Sequence, residues 1–95
     1  MEMISMLGRI VVDNSDQMRR RLAGALRSQP ALLTVDLSDV TYMDTSGLAA
    51  LMEAMRTARQ QGTRLVLCGI QEHLRYLLKV TDLDHILEIE KDTSA

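Results

Sequence analysis

A largely parallel α/β sheet packed with helices is predicted by three observations. Apolar runs of strand character alternate with segments of helical periodicity, in the order strand, helix, strand, helix, strand, helix. Only short punctuation separates them, which suits parallel strands joined by helical crossovers. And the 95 residues, 46% hydrophobic and 25% charged, have the composition of one ordinary globular domain, with no repeat, linker or low-complexity stretch.

The elements follow in order. Ile4 to Val12 is apolar-rich and contains Ile10-Val11-Val12, a β-branched strand signal, with Gly8 as a bulge or bend. Asp13-Asn14-Ser15-Asp16 offers a helix start, and Met18, Leu22 and Leu26 line one face of the helix that follows. Pro30 closes that unit, and Ala31 to Leu37 reads as the second strand, ended by a break at Ser38-Asp39. Val40 to Met43 is then a short approach to Asp44. Leu48, Leu51, Met52, Met55 and Ala58 have the spacing of one helix face, and that helix runs to about Gln61, where Gly62 suits the left-handed position after a helix. Arg64 to Cys68 is the third strand, Gly69 a turn, and Glu72 to Val80 a helix with Leu74, Leu77 and Leu78 inward. Leu83, Ile86, Leu87 and Ile89 form a last apolar patch before the polar tail, residues 90–95.

Composition excludes several classes of function. There is no Trp or Phe, so Leu, Ile, Val and seven Met must fill the core, and Met adapts to gaps of many shapes. A net charge of −2 offers no general attraction for nucleic acid, and Arg19-Arg20-Arg21 reads as a solvated helix face. Cys68 is alone, which rules out an intramolecular disulfide and a cysteine zinc cluster, and its apolar neighbours predict a buried structural thiol. No apolar run approaches the ~20 residues of a membrane span, and Met1 to Met6 lacks the pattern of a signal peptide, so a cytoplasmic protein without membrane insertion is expected. His73 and His85 lack partners at metal-ligand spacing, and no Gly-rich phosphate loop is present. Asp36 and Asp39 read as solvent-facing and turn residues, and Ser46 lacks both a nucleophile elbow and an evident base. No enzyme activity, cofactor or metal is expected.

Asp44-Thr45-Ser46-Gly47-Leu48 stands apart, because it places two hydroxyls at a helix mouth directly after an acidic residue. Backbone N–H groups there lack intrahelical partners, so either hydroxyl can serve as a cap, and the same groups with the helix dipole favour a phosphate. Residue chemistry alone leaves cap and switch both open.

The chain resembles the STAS domain family, and within it the bacterial anti-sigma factor antagonists, over roughly residues 4–89. The resemblance is carried by Gly8-Arg9-Ile10, by Val35 to Val40, by Tyr42-Met43-Asp44-Thr45-Ser46-Gly47-Leu48, by Gln61 to Gly69 and by Leu78 to Leu83. It implies a single STAS domain over residues 1–95, with a mixed, largely parallel sheet of about four strands. Family members commonly carry another strand before the one ending near Val12; without it a sheet edge would be open, and pairing into a homodimer through the N-terminal strand is expected.

The resemblance also implies a function. In the family, the hydroxyl after the Asp is phosphorylated by an anti-sigma factor with a serine/threonine kinase fold. The unphosphorylated antagonist binds that factor, and phosphorylation ends the binding. Thr45 takes the phosphoacceptor place, with Ser46 the second choice, and Asp44, Thr45, Ser46, Gly47 and Leu48 form the partner-binding stretch. Asp44 would orient the Thr45 hydroxyl or take its proton, Gly47 would let the partner's backbone come close, and the phosphate would lean on helix N–H groups beside Asp44 and near Asp39. The usual acceptor is Ser, and the methyl group of Thr alters recognition by a given kinase. The alternative reading is a cytoplasmic STAS accessory subunit of a phospholipid-transport ABC system, a branch resembling Asp-Thr-Gly-Gly-Leu here; Thr45 fits it, whereas Ser46 and Tyr42-Met43 fit the antagonists better.

Overall fold

The computed structural model describes residues 2–90. Its elements are β1 (Glu2–Ile10), α1 (Ser15–Arg27), β2 (Leu32–Met43), α2 (Thr45–Gln61), β3 (Arg64–Cys68), α3 (Glu72–Val80), a 3-10 turn (Leu83–His85) and β4 (Glu88–Ile89). The four strands are parallel and lie in the order β1-β2-β3-β4. Each crossover steps the same way across the sheet, so uniform right-handedness places all three helices on one face. Leu33, Val35, Leu37, Leu65 and Leu67 point into that face and are buried, while the intervening Thr34 and Asp36 are half-buried on the other.

The core has the expected apolar content. Met18, Leu22 and Leu26 of α1 join Leu48, Leu51, Met55 and Ala58 of α2 in one buried cluster, with Leu74 and Leu78 of α3, whereas Met52 and Leu77 are half-buried at its margin. Of the last apolar patch, Leu87 is buried and Ile86 exposed. Gly62, at φ +79°, ends α2 in the left-handed conformation that the sequence predicts there.

Two boundaries differ from expectation. The first strand stops at Ile10, and Val12 lies in the following turn, 72% exposed. There is no break at Ser38-Asp39: β2 continues to Met43 and absorbs two extra residues, since Ser5 to Leu7 of β1 spans Asp36 to Asp39 and Gly8 to Arg9 spans Val40 to Tyr42. These bulges bend the strand without ending it. Gly8, at φ +77°, sits beside the second shift, but the added residue belongs to β2. Asp39 is accordingly an exposed strand residue and not part of a turn. The polar tail falls mainly outside the described residues.

Candidate functional site

The C-terminal ends of β1 and β2 converge on the mouth of α2. Ile10 and Met43 are register partners there, and the Asp44 N–H donates to the Ile10 carbonyl at 3.1 Å. Asp44 is extended (φ −95°, ψ −173°) and is itself the helix cap, so neither Thr45 nor Ser46 holds that position. Its Oδ1 accepts from the Ser46 N–H at 2.9 Å, the Gly47 N–H at 3.3 Å and the Ser46 hydroxyl. Its Oδ2 accepts from the Val12 N–H at 3.2 Å, which ties the β1–α1 loop to the helix mouth. Asn14 reinforces that loop, accepting from the Val11 N–H at 2.8 Å and donating to the Arg9 carbonyl at 2.7 Å. The bond from the Ser46 hydroxyl, followed by those from the Gly47, Ser46 and Val12 N–H groups, holds the Asp44 carboxyl below the usual carboxylate range despite partial burial.

The two hydroxyls therefore differ. Ser46 is half-buried and its hydroxyl is committed to Asp44, whereas Thr45 is exposed and its hydroxyl makes no hydrogen bond among the described residues. Asp44 thus orients Ser46 and not Thr45. The N–H groups of Ser46 and Gly47, expected to welcome a phosphate, are already bonded to Asp44.

Gly47 faces inward rather than toward a partner. A Cβ placed on it would lie 2.6 Å from Met43 Cγ and 2.9 Å from Ile10 Cγ2, so the absent side chain lets α2 close onto the ends of β1 and β2. Leu48 is likewise buried, which leaves Thr45 as the residue of the predicted stretch that faces solvent most openly.

Beside this mouth lies a group that spacing did not reveal, because it comes from three elements. The Arg9 guanidinium sits 5.2 Å from the centre of the Tyr42 ring, and Tyr42 stacks on His73, with ring centres 6.2 Å apart and planes inclined by 8°. The Arg9–Tyr42 pairing follows from their opposition in the β1–β2 register.

Other singled-out residues lie elsewhere. Asp36 is half-buried, not solvent-facing, and its Oδ1 accepts from the Ser38 N–H at 3.0 Å; that bond, with the Ser38 hydroxyl, lowers its pKa. Cys68 is half-buried, and its thiol pKa is raised by burial and by the charge of Asp36. Arg19 bonds Asp16 at 2.9 Å and Glu53 at 2.7 Å, and Arg20 bonds Asp16, consistent with a solvated helix face. Asp82, Asp84 and His85 bring ligand atoms within 4.8 Å of one another at the turn before β4, with Asp82 and His85 exposed. No helix among the described residues is long and apolar enough to cross a membrane.

A family model described as the STAS domain matches residues 3–95. The chain is 39% identical over 59 residues to the anti-sigma-B factor antagonist of Listeria monocytogenes, an alignment covering 62% of this chain and 52% of that protein, about half its length. It is 33% identical over 86 residues to the anti-sigma-B factor antagonist of Bacillus subtilis, covering 90% of this chain and 78% of that one. A crystal structure of an anti-sigma factor antagonist from Mycobacterium paratuberculosis matches with a TM-score of 0.84 over 95% of this chain and 77% of that chain; at 19% identity the likeness is one of fold.

Proposed function

Because the chain belongs to the STAS domain family, we propose that it is an anti-sigma factor antagonist. In this reading it binds an anti-sigma factor with a kinase fold through the α2 mouth, and phosphorylation of Thr45 switches the binding off. The observation that carries the choice of residue is the contrast between the hydroxyls: Thr45 is exposed and uncommitted, and Ser46 is held by Asp44. A kinase must take its acceptor hydroxyl into its own site, and Thr45 can be offered without dismantling the cap.

Electrostatics supports the direction of the switch. A phosphate adds about −1.5 to −2 charge at pH 7. On Thr45 that charge stands next to the ionised Asp44, at a surface where Val12 and Tyr42 offer apolar contact. A partner shaped for the unmodified surface meets both bulk and repulsion, and the fold need not rearrange. The identities of 39% and 33% to antagonists, with Ser46 in place of the first glycine of Asp-Thr-Gly-Gly-Leu, favour this reading over a transporter accessory subunit.

The test is phosphorylation by a kinase-fold anti-sigma factor encoded nearby, with ATP, and mapping of the product by mass spectrometry. Modification should vanish in Thr45→Ala and persist in Ser46→Ala. The reverse pattern moves the switch to Ser46, and no modification or binding by any such partner removes the proposal.

A further inference from the structure

Tyr42 has the exposure of a surface residue, 44%, yet its ring is held by side chains from two other elements. Arg9, its register partner on β1, lays its guanidinium against the ring. His73 reaches it from α3, whose start is tied to β2 by the Gln71 side chain donating to the Ser38 carbonyl at 2.7 Å. The His73 Nε2 is buried and takes no hydrogen bond among the described residues, a desolvation cost that native structures rarely leave without a reason. What the imidazole gains is the face of Tyr42. Arg9 is exposed and makes no ion pair among the described residues, whereas Arg19, Arg20 and Arg64 each hold a carboxylate. Asp44, the carboxylate at the mouth, is already filled by three N–H groups and the Ser46 hydroxyl.

We propose, on the reading of the α2 mouth as the partner's site, that Arg9 and Tyr42 are part of the docking surface and that the anti-sigma factor sets an Asp or Glu carboxylate against Arg9. The Asp44 N–H bonds the carbonyl of Ile10, the residue after Arg9, and Thr45 lies just beyond Tyr42 in the chain. Guanidinium, ring and acceptor hydroxyl therefore share one end of the β1–β2 pair. Tyr and Arg are the residue types that carry binding energy at interfaces, and they do so best when fixed before contact. A ring held by His73, and a guanidinium held by that ring, have little rotamer freedom left to lose. A cation without a counter-charge selects an anion, and the planar guanidinium fork suits a carboxylate, which can accept two N–H bonds at once. The chain as a whole carries a net charge of −2, so an acidic partner surface is drawn by this local cation and not by general attraction.

The switch thereby gains an ionic component. A phosphate on Thr45 brings about −1.5 to −2 charge to the same end of the β1–β2 pair. There it repels the incoming carboxylate and stands as a rival anion near Arg9, so the partner loses an ion pair as well as its fit.

Calorimetric titration with the kinase-fold anti-sigma factor tests this. Arg9→Glu should weaken binding about tenfold or more, equivalent to ~1.4 kcal/mol, with a Tm near wild type because the site is exposed. Arg56→Glu makes the same charge change at an exposed site about 16 Å along α2 from Thr45, and should leave affinity within about twofold. Tyr42→Ala should lose as much as Arg9→Glu. His73→Ala should lose less, and His73→Phe should restore that loss, since Tyr42 needs only an aromatic plane beside it. On the factor, replacing the matching Asp or Glu by Lys should recover affinity for Arg9→Glu. A wild-type chain that binds and is phosphorylated on Thr45, with equal affinities in Arg9→Glu and Arg56→Glu, overturns the role of Arg9 and leaves the proposed function standing. A loss in Arg9→Glu that no acidic-to-lysine change in the factor repairs overturns the carboxylate pairing. Absence of binding by the wild type removes the proposed function itself, and the docking role of Arg9 with it.

Discussion

Gly47→Ala and Gly24→Ala are the same chemical change within a helix, and the structure predicts opposite outcomes. Both glycines have ordinary helical φ, so the replacement relieves about 0.5–1 kcal/mol of backbone entropy cost at either site. Around Gly24, in α1, a new Cβ meets nothing within 4 Å, and that relief stands alone. At Gly47 the methyl group enters 2.6 Å from Met43 Cγ, 2.9 Å from Ile10 Cγ2 and 3.2 Å from Met43 Sδ. Met43 can swing its flexible chain aside, but Ile10 is β-branched, buried and fixed in a strand. Overpacking of this kind costs about 1–3 kcal/mol. The net is a loss of ~1 kcal/mol, and with about 4–8 °C per kcal/mol for a domain of this size, Gly47→Ala should melt several degrees below wild type. Gly24→Ala should melt a few degrees above it. Thermal unfolding followed by far-UV circular dichroism reads both. A Gly47→Ala protein at or above the wild-type Tm would refute the claim that this glycine exists to seat α2 on the ends of β1 and β2.

Further outcomes follow from the same geometry. Asp44 has a lowered pKa in the folded state, so its contribution is present above the unfolded carboxylate value near 3.9 and is lost as pH falls through the folded value. Asp44→Asn should therefore flatten the acid limb of a stability-against-pH curve, and an unchanged limb would count against the cap. Leu51, 0% exposed at the centre of α2, should cost about 2–5 kcal/mol as Ala, visible as a lower urea midpoint with unchanged slope. Thr45→Glu should lose affinity for the anti-sigma factor in a calorimetric titration while its Tm stays near wild type, since exposed positions move stability by only about 0.5 kcal/mol; equal affinity would reject the electrostatic account.

Most of the fold is legible in the sequence because its punctuation is local. α2, β3 and α3 end where expected, since Gly62, Gly69 and the apolar periodicity act within a few residues of each boundary. What is not legible depends on distant partners. Ser38-Asp39 has the composition of a break, yet pairing with β1 carries β2 through it and places the surplus residues in bulges. Ile10-Val11-Val12 looks like strand throughout, yet the strand stops where Asn14 folds back to bond Val11 and Arg9. β4 is two residues long and gives no periodicity to detect. At the site, Asp44, Thr45 and Ser46 are all competent caps by type. The choice falls to Asp44 because only a carboxylate has a second oxygen for the Val12 N–H, 32 positions away. Arg9, Tyr42 and His73 come from β1, β2 and α3 and meet only in the folded chain, so no spacing could announce them.

That choice of cap determines how a phosphate on Thr45 acts in the proposed switch. Helix N-termini attract phosphate through free N–H groups and the dipole, and a sequence reading assigns both to the modified residue. Here the Ser46 and Gly47 N–H groups are occupied by an ionised Asp44. A phosphoryl group reaching them would have to displace that carboxylate, which would also free the Val12 N–H and loosen the β1–α1 loop. Two anions compete for one set of donors, and the one already bonded to three N–H groups and a hydroxyl stays. The phosphate therefore projects outward, and its effect falls on the partner rather than on the fold. Amide hydrogen exchange distinguishes the two cases. In the Thr45-phosphorylated protein, protection at Val12, Ser46 and Gly47 should match the unmodified protein. Faster exchange at Val12 would mean that the phosphate has taken the helix mouth and that the switch works by releasing the loop.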